Sequence, residues 1–287
     1  MDKKIIPCVE SDEEFIADKL NTITASKIKC EDSIEDELVV FKVTDSEGNI
    51  IAGCNLMINR WKVADLDILW VEEKYRKQGI GSALIREAER AAKNRGCRFM
   101  TLGTFDFQAR PLYEKFGFEV CGTIADCPSK GHTHYDMIKQ LDDYSDESVV
   151  CAFEIRSGNE DDAEYIDDKL VEYNWSQVPA VHDFEWIGRK ILGDNAKPVA
   201  AGFAGVNFWN IAFLDMLWVD EPYRNQGIGS RLLSDLEREA KENGACIAMI
   251  DARDWNVDFF KKLGYTVYCT FKDYPYGYSK YKLKKQF

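Results

Sequence analysis

The tract LWVEEKYRKQGIGS at positions 69–82 returns as LWVDEPYRNQGIGS at positions 217–230. A chain of 287 residues that repeats such a tract once is a tandem duplication, and each copy is large enough to bury its own core. In both copies an apolar run leads to an arginine, then to two glycines one residue apart, then to apolar residues at helical spacing. A strand that feeds a glycine turn and opens a helix can present a row of backbone N–H groups to an anion, and the helix dipole adds favourable potential. The expected ligand carries a pyrophosphate. Neither the GK[ST] ending of a nucleotide P-loop nor the third glycine of a dinucleotide fingerprint follows, which disfavours those two folds.

The polar, acidic stretch 142–148 reads as a linker, dividing the chain into domains at 1–143 and 149–287. The first copy is expected to run as strand 5–9, a helix from 11 or 12, a hairpin of strands 37–44 and 50–58, strand 66–71, a helix from 80 capped near Gly96, strand 97–102, helix 108–116 and strands 118–123 and 134–138. The second copy begins with strand 152–155 and helix 163–172, turns at Gly193-Asp194-Asn195, and continues with strands 199–206 and 214–219. Each copy is thus α/β with a mixed sheet.

Composition narrows the partners. The formal net charge is −13, which offers no basic face to nucleic acid but suits a cationic substrate. Nine cysteines are scattered without a CxxC pair and read as reduced core residues. The start lacks a signal peptide and no run is long enough to span a membrane, so a cytoplasmic protein without a membrane partner is expected. His132, His134 and nearby Cys127 admit a metal site, but histidines alternating on a strand are commoner, and no metal is expected. The tryptophans Trp61, Trp70, Trp209 and Trp218 read as core or interface rather than as a cage for a cation.

Asp65 and Asp67 stand in an otherwise apolar strand and, by period-two alternation, share a face, where a base or an amine-binding anion would be useful. The bland alternative is that they face solvent. Only Asp67 recurs, as Asp215; Phe213 stands where Asp65 would.

Arg76-Lys77-Gln78-Gly79-Ile80-Gly81 and Arg224-Asn225-Gln226-Gly227-Ile228-Gly229 resemble the acetyl-coenzyme A motif of the GNAT superfamily of N-acetyltransferases. Leu112-Tyr113-Glu114-Lys115-Phe116-Gly117-Phe118 is similar to that family's downstream element, and Phe107-Gln108-Ala109 and Pro128-Ser129-Lys130-Gly131-His132 resemble segments of some bacterial members, the latter with an extra serine. The resemblance covers most of both halves. It implies two tandem domains, each a mixed, mostly antiparallel sheet flanked by helices with a splayed cleft for acetyl-coenzyme A. It also implies direct transfer of acetyl to a primary amine, without a metal.

By the same resemblance, the strand Leu69, Trp70 and Val71 meets the thioester carbonyl, Arg76 anchors the loop, and Lys77, Gln78, Gly79, Ile80, Gly81 and Ser82 hold the pyrophosphate. Their counterparts are Leu217, Val219, Arg224, Asn225, Gln226, Gly227, Ile228, Gly229 and Ser230. Tyr113 is implied as general acid toward the sulfur, and His132 as a wall of the acceptor pocket. The base is left open among Asp65, Asp67 and a water relay.

In the second copy Phe260 replaces Tyr113 and Tyr278 replaces His132, so that copy is expected to bind coenzyme A with impaired chemistry, unless Tyr265 or Tyr268 supplies the proton. The acceptor is expected to be a small cationic amine; the competing readings are a protein lysine or N-terminal amine, and a non-catalytic acyl-coenzyme A sensor or assembly module. The two halves are expected to form an internal pair, which would make further association unnecessary.

Overall fold

The computed structural model describes residues 4–28, 36–141, 151–194 and 196–287. The expected linker 142–148 and turn residue Asn195 lie outside them. Along the first copy run β1 (Ile5–Pro7), α1 (Glu10–Lys27), β2 (Glu37–Thr44), β3 (Ile50–Ile58), β4 (Val63–Val71), α2 (Ile80–Asn94), β5 (Phe99–Phe105), α3 (Arg110–Lys115), β6 (Glu119–Ala125) and β7 (Thr133–Gln140). The second copy repeats the order as β8 (Ile155–Ser157), α4 (Glu160–Gln177), β9 (Glu185–Leu192), β10 (Pro198–Val206), β11 (Ile211–Val219), α5 (Ile228–Glu242), β12 (Ile247–Arg253), α6 (Val257–Lys262), β13 (Thr266–Lys272) and β14 (Ser279–Gln286).

The compact units do not follow the repeat boundary expected at 143–149. One unit, hereafter the first, gathers Cys30–Pro179 with Tyr274–Tyr276; the second gathers Met1–Lys29, Ala180–Asp273 and Gly277–Phe287. Each copy therefore gives its opening strand and helix to the other's unit. The opening segments share apolar positions, with Ile5, Phe15, Ile16, Leu20 and Ile23 answered by Ile155, Tyr165, Ile166, Leu170 and Tyr173, so these positions by themselves do not specify which copy's sheet they will cover.

In the first unit the strand order is β6-β7-β5-β4-β3-β2-β8, with β4–β5 as its parallel pair. Strand β8 adds to the edge of β2 through the pairs Phe41–Ser157 and Val43–Ile155. Helix α4 then crosses the sheet. Its start is fixed by a reciprocal cap, in which Asn159 accepts from the Asp162 N–H and Asp162 accepts from the Asn159 N–H, each at 2.9 Å. Asp162 also takes the Lys42 ammonium at 2.7 Å, an ion pair that holds its carboxyl below the ordinary range. Ile166, fully buried, enters a cluster with Val40, Ala163 and Trp70, and Asn55 donates to the Ala163 carbonyl at 3.2 Å. On the same sheet α2 buries Leu84, Ile85, Ala88 and Ala92, together with Glu89, whose carboxylate is neutralised by Arg86 and Lys139.

The second unit repeats this plan in the order β1-β9-β10-β11-β12-β14-β13, with β11–β12 parallel. Here α1 covers the sheet, and its Ile16 packs on Ala201, Phe203 and Trp218. Trp218 meets Phe15 edge-on at 5.9 Å, as Trp70 meets Tyr165 at 6.3 Å in the first unit. Both indoles are core residues, as the sequence reading expected.

One residue sets how closely α4 can approach. A Cβ on Gly53 would lie 2.2 Å from Ile166 Cδ1 and 2.8 Å from the Phe41 carbonyl oxygen, whereas the second unit already carries a fully buried alanine, Ala201, under Ile16. Gly53→Ala is expected to destabilise the protein by about 1–3 kcal/mol through overpacking. Ile166→Val should recover part of that loss, measured by urea denaturation.

Candidate active site

Parallel pairing between β4 and β5 covers three positions, Val63–Phe99, Ala64–Met100 and Asp65–Thr101. Beyond Thr101 the two strands part. Strand β4 stays with β3 as far as Ala52–Val71, while β5 stays with β7 as far as Phe105–His134. The sheet is split into a wedge, and the wedge holds a cavity of about 770 Å³. One wall is β4, through Leu66, Asp67, Leu69, Trp70 and Val71. The facing wall is Gly103 and Phe105 of β5 with His134 of β7. Helix α3 contributes Leu112, Tyr113 and Lys115, and α4 closes the side with Leu170, Tyr173 and Asn174. Backbone groups on the parted edges, released from ladder pairing with each other, are available to a ligand.

The glycine loop lies at the β4 end of this cavity, contributing Arg76, Lys77, Gly79, Ile80, Gly81 and Ser82 to its lining. Lys77 at φ 62° and Gly79 at φ 84° are left-handed, which reverses the chain and aims the first turn of α2 into the cavity. Arg76 locks the turn: its Nε donates to the Val71 carbonyl at 2.9 Å, and its guanidinium lies 4.5 Å from the centre of the Tyr173 ring. Gln78 lines no part of the cavity and braces the turn from behind, donating to the Lys74 carbonyl at 3.2 Å. The second unit repeats the loop, with Asn225 at φ 61°, Gly227 at φ 77° and Arg224 Nε donating to Val219 at 2.9 Å. Its Ile228, Gly229 and Ser230 open α5.

Tyr113 is 7% exposed, and burial pushes its phenol well above the ordinary tyrosine range. It therefore keeps its proton at any physiological pH. In the second unit Phe260 occupies the corresponding helix, 3% exposed. Tyr265, an alternative donor by sequence, is buried among Phe260, Leu283 and the rest of that unit's core. Around α3 of the first unit, Gln108 accepts from the Phe105 N–H at 2.8 Å and from the Thr104 hydroxyl at 3.1 Å, and donates to Asn174 Oδ1 at 2.8 Å. Tyr173 donates to the Phe107 carbonyl at 2.9 Å. The Phe107-Gln108-Ala109 segment thus serves to fasten α4 to the cavity.

Two sequence expectations fail here. Asp65 and Asp67 do not share a face, because the ladder slips between them: Asn55 pairs with Ile68 and Leu56 with Leu66, leaving Asp67 as the extra residue of a bulge. Asp67 is exposed in the cavity wall, whereas Asp65 lies outside it, accepting from the Thr101 hydroxyl and, at 3.0 Å, from Tyr274 of the same unit. The bulge recurs at Asp215, whose carboxyl is raised by burial and by Glu13 and Asp251. His132 also lies outside the cavity, with Nδ1 3.2 Å from Asp106 Oδ1 and its ring edge-on to Phe107. His134 takes the place in the wall that was expected of His132. The signal that could have singled it out is the spacing His134-x-Asp136, which puts a carboxylate beside the imidazole on one strand face.

Among the described residues no group of three or more His, Cys, Asp or Glu could hold a metal ion, and no helix is long and apolar enough to cross a membrane.

The neighbours of Gly81 separate the demands of the fold from those of a ligand. A Cβ there would meet Leu112 at 3.4 Å and Val71 at 3.7 Å, both ordinary contacts, so the protein alone does not require glycine. Gly81→Ala is expected to leave stability within about 1 kcal/mol of the parent, since alanine favours a helix. It should nevertheless weaken coenzyme A binding at least ten-fold, read by calorimetric titration.

The model of the acetyltransferase (GNAT) family matches the chain twice, over residues 10–118 and 138–265. A blasticidin-S acetyltransferase from Streptomyces morookaense is 33% identical over 90 residues, a stretch that is 31% of this chain and 66% of that protein, slightly under two thirds of its length. A crystal structure of an acetyltransferase from Bacillus cereus is 33% identical with a TM-score of 0.45, covering 48% of this chain and 97% of that one. An aminoglycoside 6'-N-acetyltransferase complexed with coenzyme A is 15% identical with a TM-score of 0.34, covering 50% of this chain and 99% of that one. With a family match across each repeat, the chain belongs to the acetyltransferase (GNAT) family.

Proposed function

We propose that this protein transfers acetyl from acetyl-coenzyme A directly to a small cationic primary amine, in the cleft of the first unit. The observation that carries the reading is the wedge itself, which joins a glycine loop suited to a pyrophosphate, a pair of parted strand edges and a protonated buried phenol in one cavity.

Lys77, residues 79–82 and the first turn of α2 hold the pyrophosphate, with Arg76 and Gln78 keeping the loop in shape. The thioester supplies an activated acetyl group. A freed backbone N–H of β4, around Leu69–Val71, donates to its carbonyl oxygen as charge gathers there. Tyr113 holds a proton for the departing sulfur. Asp67 is the exposed carboxylate of the cavity wall and attracts a cationic acceptor, as does the overall charge of −13. The curated relative acts, by its name, on blasticidin S, which favours a small-molecule amine here over a protein lysine.

The second unit keeps the loop geometry but has Phe260 in place of the phenol. It binds the coenzyme and does not turn it over. The eight described cysteines are free thiols, in keeping with action in the reducing cytoplasm.

The test is thiol release from acetyl-coenzyme A with a panel of blasticidin S, an aminoglycoside, a polyamine and lysine peptides. At least one small amine should be acetylated in preference to every peptide; activity confined to peptides, or none, would overturn the reading. Tyr113→Phe should lower kcat by roughly 10- to 100-fold. It should leave the coenzyme dissociation constant unchanged, because the hydroxyl acts on the leaving sulfur and not on the pyrophosphate.

A further inference from the structure

We infer that His134 is the general base of the first unit's cleft, with Asp136 as the positioning residue behind it. The inference rests on the acetyltransferase reading of that cavity and supplies the group that the reading leaves unassigned.

His134 and Asp136 are two apart on β7 and so project from the same face of the strand. They oppose Phe105 and Gly103 of β5, in the part of that strand that has left β4. The His134 side chain is 15% exposed and lines the cavity; Asp136 is 1% exposed, with Oδ2 3.8 Å from His134 Nδ1. The other ring nitrogen, Nε2, lies against Gly103. A Cβ on Gly103 would lie 3.0 Å from His134 Nε2, so the absence of a side chain at 103 is what lets the imidazole lie along the cavity wall. Phe105 holds the ring edge-on at 5.2 Å. A buried carboxylate 3.8 Å from Nδ1, too far for a hydrogen bond between the two, favours the proton on that nitrogen by charge alone and leaves Nε2, beside the cavity-lining Gly103, as the nitrogen that accepts one. Imidazole is also the side chain whose unperturbed protonation changes near neutral pH, which suits it to accept a proton from an amine and release it again.

The second unit supports the assignment by contrast. The matching register there pairs Arg253 with Lys280 and Asp251 with Lys282, and Lys280 is bound to Asp251 at 2.7 Å. Lysines stand in place of both His134 and Asp136, and an aspartate stands in place of Gly103. The unit that lacks the phenol thus lacks the imidazole, its carboxylate and the space for them as well, as expected if the two groups serve one reaction.

The acceptor ammonium first gives one proton to solvent, and from the neutral amine onward the proton balance closes within the cleft. The acceptor nitrogen forms its bond to the thioester carbonyl carbon and gives a proton to His134 Nε2. The carbon–sulfur bond breaks with its electron pair on sulfur, which takes the Tyr113 proton. The imidazolium proton then returns to the phenolate through water.

The test uses the full chain and the best amine of the panel. His134→Ala should lower kcat about 100-fold. It should keep the melting temperature and the coenzyme A dissociation constant, and regain at least ten-fold activity in added imidazole. His134→Asn serves if the alanine variant is unstable. Asp136→Asn should cost about ten-fold in the parent and almost nothing in His134→Ala. By NMR of the three histidines, it should move the ring signals of His134 and leave those of His132 and His182 in place. An active parent whose His134→Ala variant stays within three-fold, or falls without rescue by imidazole, overturns the assignment. A parent that binds acetyl-coenzyme A but acetylates no amine overturns the underlying reading, and the base with it; the two failures differ in whether the parent itself is active.

Discussion

Everything functional in the first unit depends on β4 and β5 ceasing to pair after Thr101. A sheet gives up ladder hydrogen bonds to open in this way, and the backbone groups it frees must find water or a ligand. The bulge at Asp67 accounts for the departure of β4, since an extra residue bends and twists its strand away from a straight neighbour. The same bulge stands at Asp215, and there parallel pairing ends at Leu214–Ile250. The opening is therefore a property of the repeated unit that preceded duplication, and what distinguishes the two clefts is the set of side chains around them.

Those side chains come partly from the exchanged helices. Helix α4 belongs by sequence to the second copy, yet its Tyr173 supports Arg76 and its Asn174 receives Gln108. The first cleft is thus a joint product of both copies. The second unit keeps the phosphate loop while its phenol has become Phe260 and its β5–β7 counterpart carries the Lys280–Asp251 ion pair. The second copy thus keeps the loop geometry and donates α4 to the first unit while lacking these reactive groups.

Much of this was legible in the sequence, because it rests on local pattern. The hairpin strands 37–44 and 50–58 were bounded by turn chemistry at 45–49 and appear with those limits. The glycine loops were recognisable since their left-handed turns require particular residues at fixed spacing. Helix α4 was placed but read short, at 163–172, because its capping residue Asn159 starts it earlier and its last turn is polar. The partition into units was not legible: an edge strand of three residues and a helix anchored by one isoleucine fit either copy's sheet. Alternation misplaced Asp65 because a bulge shifts the face of every residue beyond it while leaving no mark in composition. His134 was overlooked in favour of His132 because the start of β7 decides which histidine is inside, and that depends on pairing with β5.

The claim most exposed to test is that the working cleft is assembled from β2 to β7 of one copy with β8 and α4 of the other. Calorimetric titration of coenzyme A into two fragments, 1–148 and 30–179, measures it directly. The account predicts binding by 30–179 and none by 1–148, which carries the whole glycine loop and Tyr113 but lacks β8 and α4. Binding by 1–148 comparable to that of the intact chain, with none by 30–179, would contradict it.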